Sequence, residues 1–392
     1  MLITAEKPGD PQSFEMGVSA GDGDLKFIPK DEKALLRHDV EITKSDSDNR
    51  LYRAITLSNQ LKVLLISDSY TDKAAACLAV AVGSFYDPVD VPGLAHFCEH
   101  MILLGSQKYP GENEYSKFIT SHSGYCNAFT STTETCYVFD IAPDYLYEAL
   151  KRFSGLFVAP LFTESATERE VNAVNSEHEK NLSIDNRRIV RIDKIMAAPD
   201  HDYAKFTTGN KDTLFNNLKL KSRNVRDELV RFYERFYSSN IMAVTILGKE
   251  SLDEMENKYA PLFEDIPNWN VVPKSWLTTP WTKEYLQPCG YPMHLLGHES
   301  AGSLLSALKR RSLATNLMTE TYRPGSGFAC VILYASLTDN GLGVSKFSFC
   351  LCTSYFVGVK ISSRPVYSDC SVFISKIRTI NVFVMRFYCH IG

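Results

Sequence analysis

Runs of apolar and polar positions change period several times along the chain, and each change marks an element. Leu61–Ile66 is an apolar run ended by Ser67-Asp68-Ser69, and Ala74–Val82 is a run of small and β-branched residues closed by Gly83-Ser84. Both predict buried strands in the middle of a sheet, with a short turn between them. Pro92-Gly93 then breaks the chain. Leu94, Phe97, Met101 and Leu104 recur at spacings of three and four, which predicts a helix over Leu94–Leu104, ended by Gly105, with this face turned inward. Glu112–Ile119 predicts a second helix, closed near Gly124. Two strands follow, Tyr125–Ser131 and Thr135–Ile141, joined by a polar turn. Pro143 and Asp144 open a helix through Phe157, Ser165–Leu182 reads as a long charged helix, Val225–Tyr237 as another, and Met242–Leu247 as a strand. The fold class is α+β, a sheet with helices packed against it.

The same patterning divides the 392 residues. Residues 1–48 are polar and read as a flexible leader with little core of their own. The folded unit covers 49–266. Residues 267–290 hold several prolines and all three tryptophans (Trp269, Trp276, Trp281) and read as a linker or a strap across domains. A second, partial αβ segment begins near His294 and occupies 291–342. From Gly343 to residue 392 the pattern is neither helical nor alternating, and this stretch is expected to be a divergent, poorly ordered tail.

Composition narrows the function classes. A net charge of −4 makes no electrostatic case for nucleic acid. No apolar run is long and clean enough to span a membrane. Met1–Asp10 has no apolar core, which argues against a secretory signal. Ten cysteines follow no framework spacing and are expected to be reduced thiols in a cytoplasmic protein, with a mitochondrial location the less favoured choice.

The chemistry concentrates in His96-Phe97-Cys98-Glu99-His100. On a helix, positions i and i+4 share a face, so His96 and His100 can offer two imidazole nitrogens to one zinc ion, with Glu99 beside them to take a proton from water. The order H-x-x-E-H is the inverted form of a zinc-protease signature. Cys98, two residues from His96, points away from that face. A catalytic zinc needs a third protein ligand and an open position for water. Glu170 and Glu177 lie seven residues apart on the charged helix and share a face; one could ligate while the other accepts a histidine N–H. His122 and the His298-Glu299 pair read as solvated or capping residues, and Cys350-x-Cys352 is too isolated for a zinc site.

Several stretches together resemble the insulinase branch of the pitrilysin-type metalloproteases, peptidase family M16. They are His96–Met101, Tyr109-Pro110, Glu112–Ser116, Asn127–Ser131, Arg169–Val174, Ser176–Asn181 and Lys205–Asn210. The resemblance runs from about Asn49 to Leu342 and is dense through about Phe263. It implies a mixed, largely antiparallel sheet packed by helices in a zinc-bearing N-terminal domain, followed by an incomplete second domain of the same kind. It implies that His96, His100 and Glu177 hold one Zn2+ per chain, that Glu99 is the general base, and that Glu170 orients the site. Asn127, Ala128 and Phe129 would lie on an edge strand that pairs with an extended peptide. The implied activity is hydrolysis of oligopeptides or small peptide hormones by a zinc metalloendopeptidase. Its turnover would be impaired by loss of the C-terminal half, which in the family supplies an Arg and a Tyr at the substrate. The alternative is a zinc- and peptide-binding fragment with little or no turnover. Expected partners are peptides and either a second copy or a separate C-terminal half. Arg187 and Val190 stand where this branch has aromatic residues near the substrate side chain, which implies an altered cleavage preference.

Overall fold

A computed structural model describes residues 27–30, 33–38, 42–195, 197–277, 280, 297–325, 328–343 and 382–390. One mixed sheet is built from β1 (Phe27–Lys30), β2 (Lys33–His38), β3 (Leu51–Thr56), β4 (Lys62–Ser67), β5 (Ala74–Val80), β6 (Tyr125–Thr130), β7 (Thr135–Ile141) and β8 (Met242–Gly248). Across the sheet the order is β1-β2-β3-β4-β8-β5-β7-β6. Strands β4 and β8 pair in parallel; the other pairings are antiparallel. The apolar runs predicted as β4 and β5 are therefore central, but they are not neighbours. Strand β8 enters between them, and the Asp68–Lys73 turn crosses its end, where the Asp68 N–H donates to the Gly248 carbonyl at 2.9 Å.

Alternation along the strands decides which face is covered. Val63, Leu65, Ala76, Leu78, Val80, Tyr137, Phe139, Val244 and Ile246 are buried under the helices, while the intervening Leu64, Ile66, Ala75, Cys77, Val138 and Thr245 stay half open. The helices packed on this sheet or following it up to residue 266 are α1 (Leu94–Ile102), α2 (Glu114–Ser121), α3 (Leu146–Val158), α4 (Glu164–Asn181), α5 (Asp185–Ile195), α6 (Asn217–Leu220), α7 (Val225–Phe236) and α8 (Leu252–Lys258); among the described residues two short helices, Leu304–Arg310 and Asp339–Gly343, come later. Phe153 and Phe157 of α3 and Leu229 and Phe232 of α7 complete the core against the sheet.

Three segments differ from what patterning suggests. Strands β1 and β2 fall inside the stretch read as a leader and extend the sheet outward from β3. Backbone pairing at an edge needs no apolar periodicity, so no sequence signal announces it. In the stretch read as a linker, Trp276 is buried against Phe85 and Tyr86, and its indole N–H donates to Asp202 Oδ2 at 2.8 Å, so it straps the first unit. Trp281 and His294 lie outside the described residues. In the region read as a patternless tail, β11 (Val382–His390) pairs with β10 (Phe328–Leu337), which also pairs with β9 (Ala314–Gly325). Residues 344–381 lie outside the described set. Helix α5 begins a few residues after α4 and is not among the predicted elements. Helix α8 did carry a legible start: Ser251 and Glu254 form a reciprocal capping box.

The β9–β10 hairpin docks on the first unit through its tip. Phe328 is fully buried, its ring packing against His201 at 5.4 Å and Tyr203 at 5.8 Å. Thr132, in the β6–β7 turn, donates to the Pro324 carbonyl at 2.7 Å.

Candidate metal centre

Helix α1 begins abruptly because Gly93 takes a left-handed conformation, φ +93°, which permits the turn out of Pro92. The Asp87 carboxylate accepts the Gly93 and Ala95 backbone N–H groups, both at 2.7 Å, and satisfies two donors of the first turn. Burial pushes the Asp87 carboxyl up to about 7, and these two N–H donors pull it the other way. Leu94, Ala95, Phe97, Cys98, Met101 and Ile102 are buried. This packing sets the helix's rotation. Cys98 turns into the core, where burial pushes its thiol up, and His96 and His100 turn toward α4.

Helix α4 meets them with one face. Val171 and Val174 anchor it in the core, and Glu170 and Glu177, two turns apart, reach toward α1. Glu177 Oε2 lies 3.4 Å from His96 Nε2 and 3.8 Å from His100 Nε2. Ligand atoms of His96, His100 and Glu177 all fall within 4.8 Å of one another; among the described residues no other group of three His, Cys, Asp or Glu does so. Glu170 stands behind this trio, its Oε2 3.1 Å from His100 Nδ1. The ambiguity between the two glutamates is thus resolved in position: Glu177 faces both imidazoles, and Glu170 faces the back of one.

Two further residues complete the setting, and sequence reasoning did not find them. The Thr208 carbonyl lies 2.7 Å from His96 Nδ1, which makes that nitrogen the donor and turns Nε2 toward Glu177. Thr208 comes from a loop more than a hundred residues away, within the Lys205–Asn210 stretch that carries part of the family resemblance. Thr130, at the end of β6, donates to Glu99 Oε2 at 2.5 Å. Glu99 is 7% exposed. Burial raises its pKa, and the Thr130 bond and both histidines moderate the rise.

The histidines and Glu177 polarise each other. Burial opposes the charged form of His96 and His100, but carboxylates overcome it: Glu177 raises His96, and Glu170 with Glu177 raises His100 to about 9. The same contacts, to His100 and then His96, hold Glu177 well below the usual carboxylate range. A site that favours positive charge this strongly suits a cation. Two imidazole nitrogens plus one carboxylate oxygen, each imidazole with its other nitrogen already bonded, is a donor set that fits zinc and leaves a fourth position.

Beside the trio runs β6, one of the two outer strands of the sheet. Asn127 and Phe129 are exposed and Ala128 is half buried, so the strand is not an ordinary interior one. His122 caps its own helix, with Nδ1 2.7 Å from the Phe118 carbonyl. His298 Nδ1 accepts from the Ser300 N–H at 3.2 Å.

This sheet, with an inverted histidine–glutamate helix packed on its covered face, defines a class: the chain belongs to the insulinase family, peptidase family M16. Residues 62–200 match Insulinase (Peptidase family M16), and 224–275 match the Peptidase M16 inactive domain. The chain is 45% identical over 331 residues to insulin-degrading enzyme of Drosophila melanogaster, covering 77% of this chain and 33% of that protein. It is 42% identical over 339 residues to human insulin-degrading enzyme, covering 79% and 33%. The A-factor-processing enzyme of Saccharomyces cerevisiae is 42% identical over 333 residues, covering 77% and 32%. The chain therefore spans about a third of the length of these relatives. The crystal structure of pitrilysin superposes with a TM-score of 0.75 at 29% identity, covering 83% of this chain and 38% of that one. Among the described residues no helix is long and apolar enough to cross a membrane.

Proposed function

We propose that this chain is a zinc metalloendopeptidase acting on oligopeptides. The observation that carries the reading is the convergence of His96, His100 and Glu177, with buried Glu99 on the same helix. The names of the relatives, insulin-degrading and A-factor-processing, point to peptide substrates.

In this reading His96 Nε2, His100 Nε2 and a Glu177 oxygen hold one zinc ion. Such an ion supplies Lewis acidity to a water molecule and to the scissile carbonyl. Glu99 accepts the water's proton and returns it to the leaving amine. Its raised pKa suits both transfers, and the Thr130 hydroxyl fixes one carboxylate oxygen so that the other faces the reaction. Thr208 and Glu170 hold the imidazole rings from behind. The backbone of Asn127–Phe129 pairs with the extended substrate, which makes recognition tolerant of side chains.

The open edge of β6 is equally compatible with a second reading, zinc and peptide binding without turnover. One assay separates the two. A fluorogenic peptide is incubated with the chain, with a chelator, and with the Glu99→Gln and Glu177→Gln variants, and zinc content is measured in each. Glu99→Gln should keep its zinc and lose about 10²–10⁴-fold in rate. Glu177→Gln should lose zinc as well. Hydrolysis that ignores both chelator and Glu99→Gln would overturn the peptidase reading. Bound zinc with no hydrolysis by the parent chain would establish the second.

A further inference from the structure

Helix α5 brings unpaired positive charge close to the candidate metal centre. Arg187 and Arg191 lie one turn apart on it; Arg187 is exposed and Arg191 half buried. The Arg191 guanidinium sits 5.4 Å over the Phe206 ring, and its Nη1 donates to the Ala204 carbonyl at a long 3.4 Å. Among the described residues neither arginine has a carboxylate within ion-pair distance. The nearby acids are engaged elsewhere: Asp202 with Lys205 and Asp193 with Tyr203. Burial alone lowers the pKa of Arg191, as expected for a cation that has left water without meeting a counter-charge.

Phe206 connects this cation to the centre. Its other side packs edge-on against His178, 5.1 Å between centroids, and His178 follows Glu177. Two residues beyond Phe206, the Thr208 carbonyl holds His96. These contacts connect the guanidinium to the backbone that carries Glu177 and to the loop whose Thr208 carbonyl holds His96. Like charges one helical turn apart repel, and a half-buried guanidinium without an anion is held at a cost; a single carboxylate arriving there relieves both.

We propose that Arg191, with Arg187 beside it, is a specificity-determining residue that takes a carboxylate of the peptide substrate a few residues from the bond at the metal centre. The carboxylate is an Asp or Glu side chain or a free C-terminus. The proposal rests on the peptidase reading above. Arg191 holds the anion through a planar fork of N–H donors, and Phe206 keeps that fork in place.

The test measures binding, using the zinc-loaded Glu99→Gln chain so that the peptides stay intact. Fluorescence anisotropy compares a neutral, end-blocked reference peptide with versions carrying a single Glu stepped along it, and with one carrying a free C-terminal carboxylate. At the best position the carboxylate should tighten binding about three- to tenfold, a modest figure because the guanidinium is only half buried. Arg191→Met, which keeps the packing on Phe206, should abolish that gain and leave the reference peptide's Kd unchanged. Arg191→Lys should retain part of it. A gain confined to stepped Glu identifies a side chain as the ligand, and a gain confined to the free terminus identifies the chain end. Equal binding of all peptides, or a preference that survives Arg191→Met, overturns the proposal and leaves the peptidase reading standing. Failure of every peptide to bind overturns both.

Discussion

Replacing Gly93 by Ala should loosen the metal centre without touching a ligand. Gly93 has φ +93°, and an added Cβ there would lie 2.2 Å from Gly209 Cα and 2.4 Å from Gly209 N. Both are backbone atoms, so no flexible side chain can absorb the clash. Restoring ordinary contact at about 3.4 Å requires the 208–209 backbone to retreat by roughly 1 Å. That movement carries the Thr208 carbonyl, now 2.7 Å from His96 Nδ1, out to about 3.5 Å or beyond, where a hydrogen bond is effectively gone. Two costs add in stability: about 1–2 kcal/mol for an L-residue in the left-handed region and about 1–3 kcal/mol for overpacking. The third cost falls on zinc binding at the proposed site, because losing the group that orients an imidazole ligand weakens affinity about 10–100-fold. Zinc competition against a chromophoric chelator, with thermal unfolding alongside, reads both effects. Gly209→Ala is the control. Its φ of +77° carries similar strain, but its Cβ first meets the Leu214 Cδ1 side-chain atom at 3.0 Å, which can move aside. It should destabilise the fold with a smaller effect on zinc. A Gly93→Ala protein that binds zinc as tightly as its parent would refute the link between the two glycines and His96.

Two other perturbations test the frame around the site. Burial raises the Asp87 carboxyl from an ordinary 3.8 to about 7, so its contribution to stability is complete below about pH 4 and is lost as pH rises through about 7, up to about 4 kcal/mol in all. Urea midpoints measured across that window should fall with pH in the parent and lack this component in Asp87→Asn; parallel curves would mean that Asp87 stays ionised throughout. Phe328→Ala empties the pocket between His201 and Tyr203 and should cost about 3–5 kcal/mol, read as earlier or split thermal unfolding; an unchanged, single transition would show that the hairpin tip contributes nothing to the first unit.

Much of the site could be read from local spacing. His96, Glu99 and His100 lie within one and a half turns of one helix, and helical periodicity alone puts the two imidazoles on one face. The core strands β4, β5, β7 and β8 and the helices α1 and α3 likewise declare themselves through burial, because a buried face needs apolar residues at its own period, whereas α4 shows itself as a long charged run. Spacing could not choose between Glu170 and Glu177, since both share the face of α4; only the seating of α4 on α1 decides which carboxylate stands between the rings. Tertiary structure also decided that β8 parts β4 from β5, that Thr208 and Thr130 hold His96 and Glu99, and that Arg191 comes to rest on Phe206 near the centre. Each of these depends on contacts between residues far apart in the chain, made largely by carbonyls, hydroxyls and backbone edges. Such groups leave no periodic mark on a sequence, whereas hydrophobic burial along a single element does.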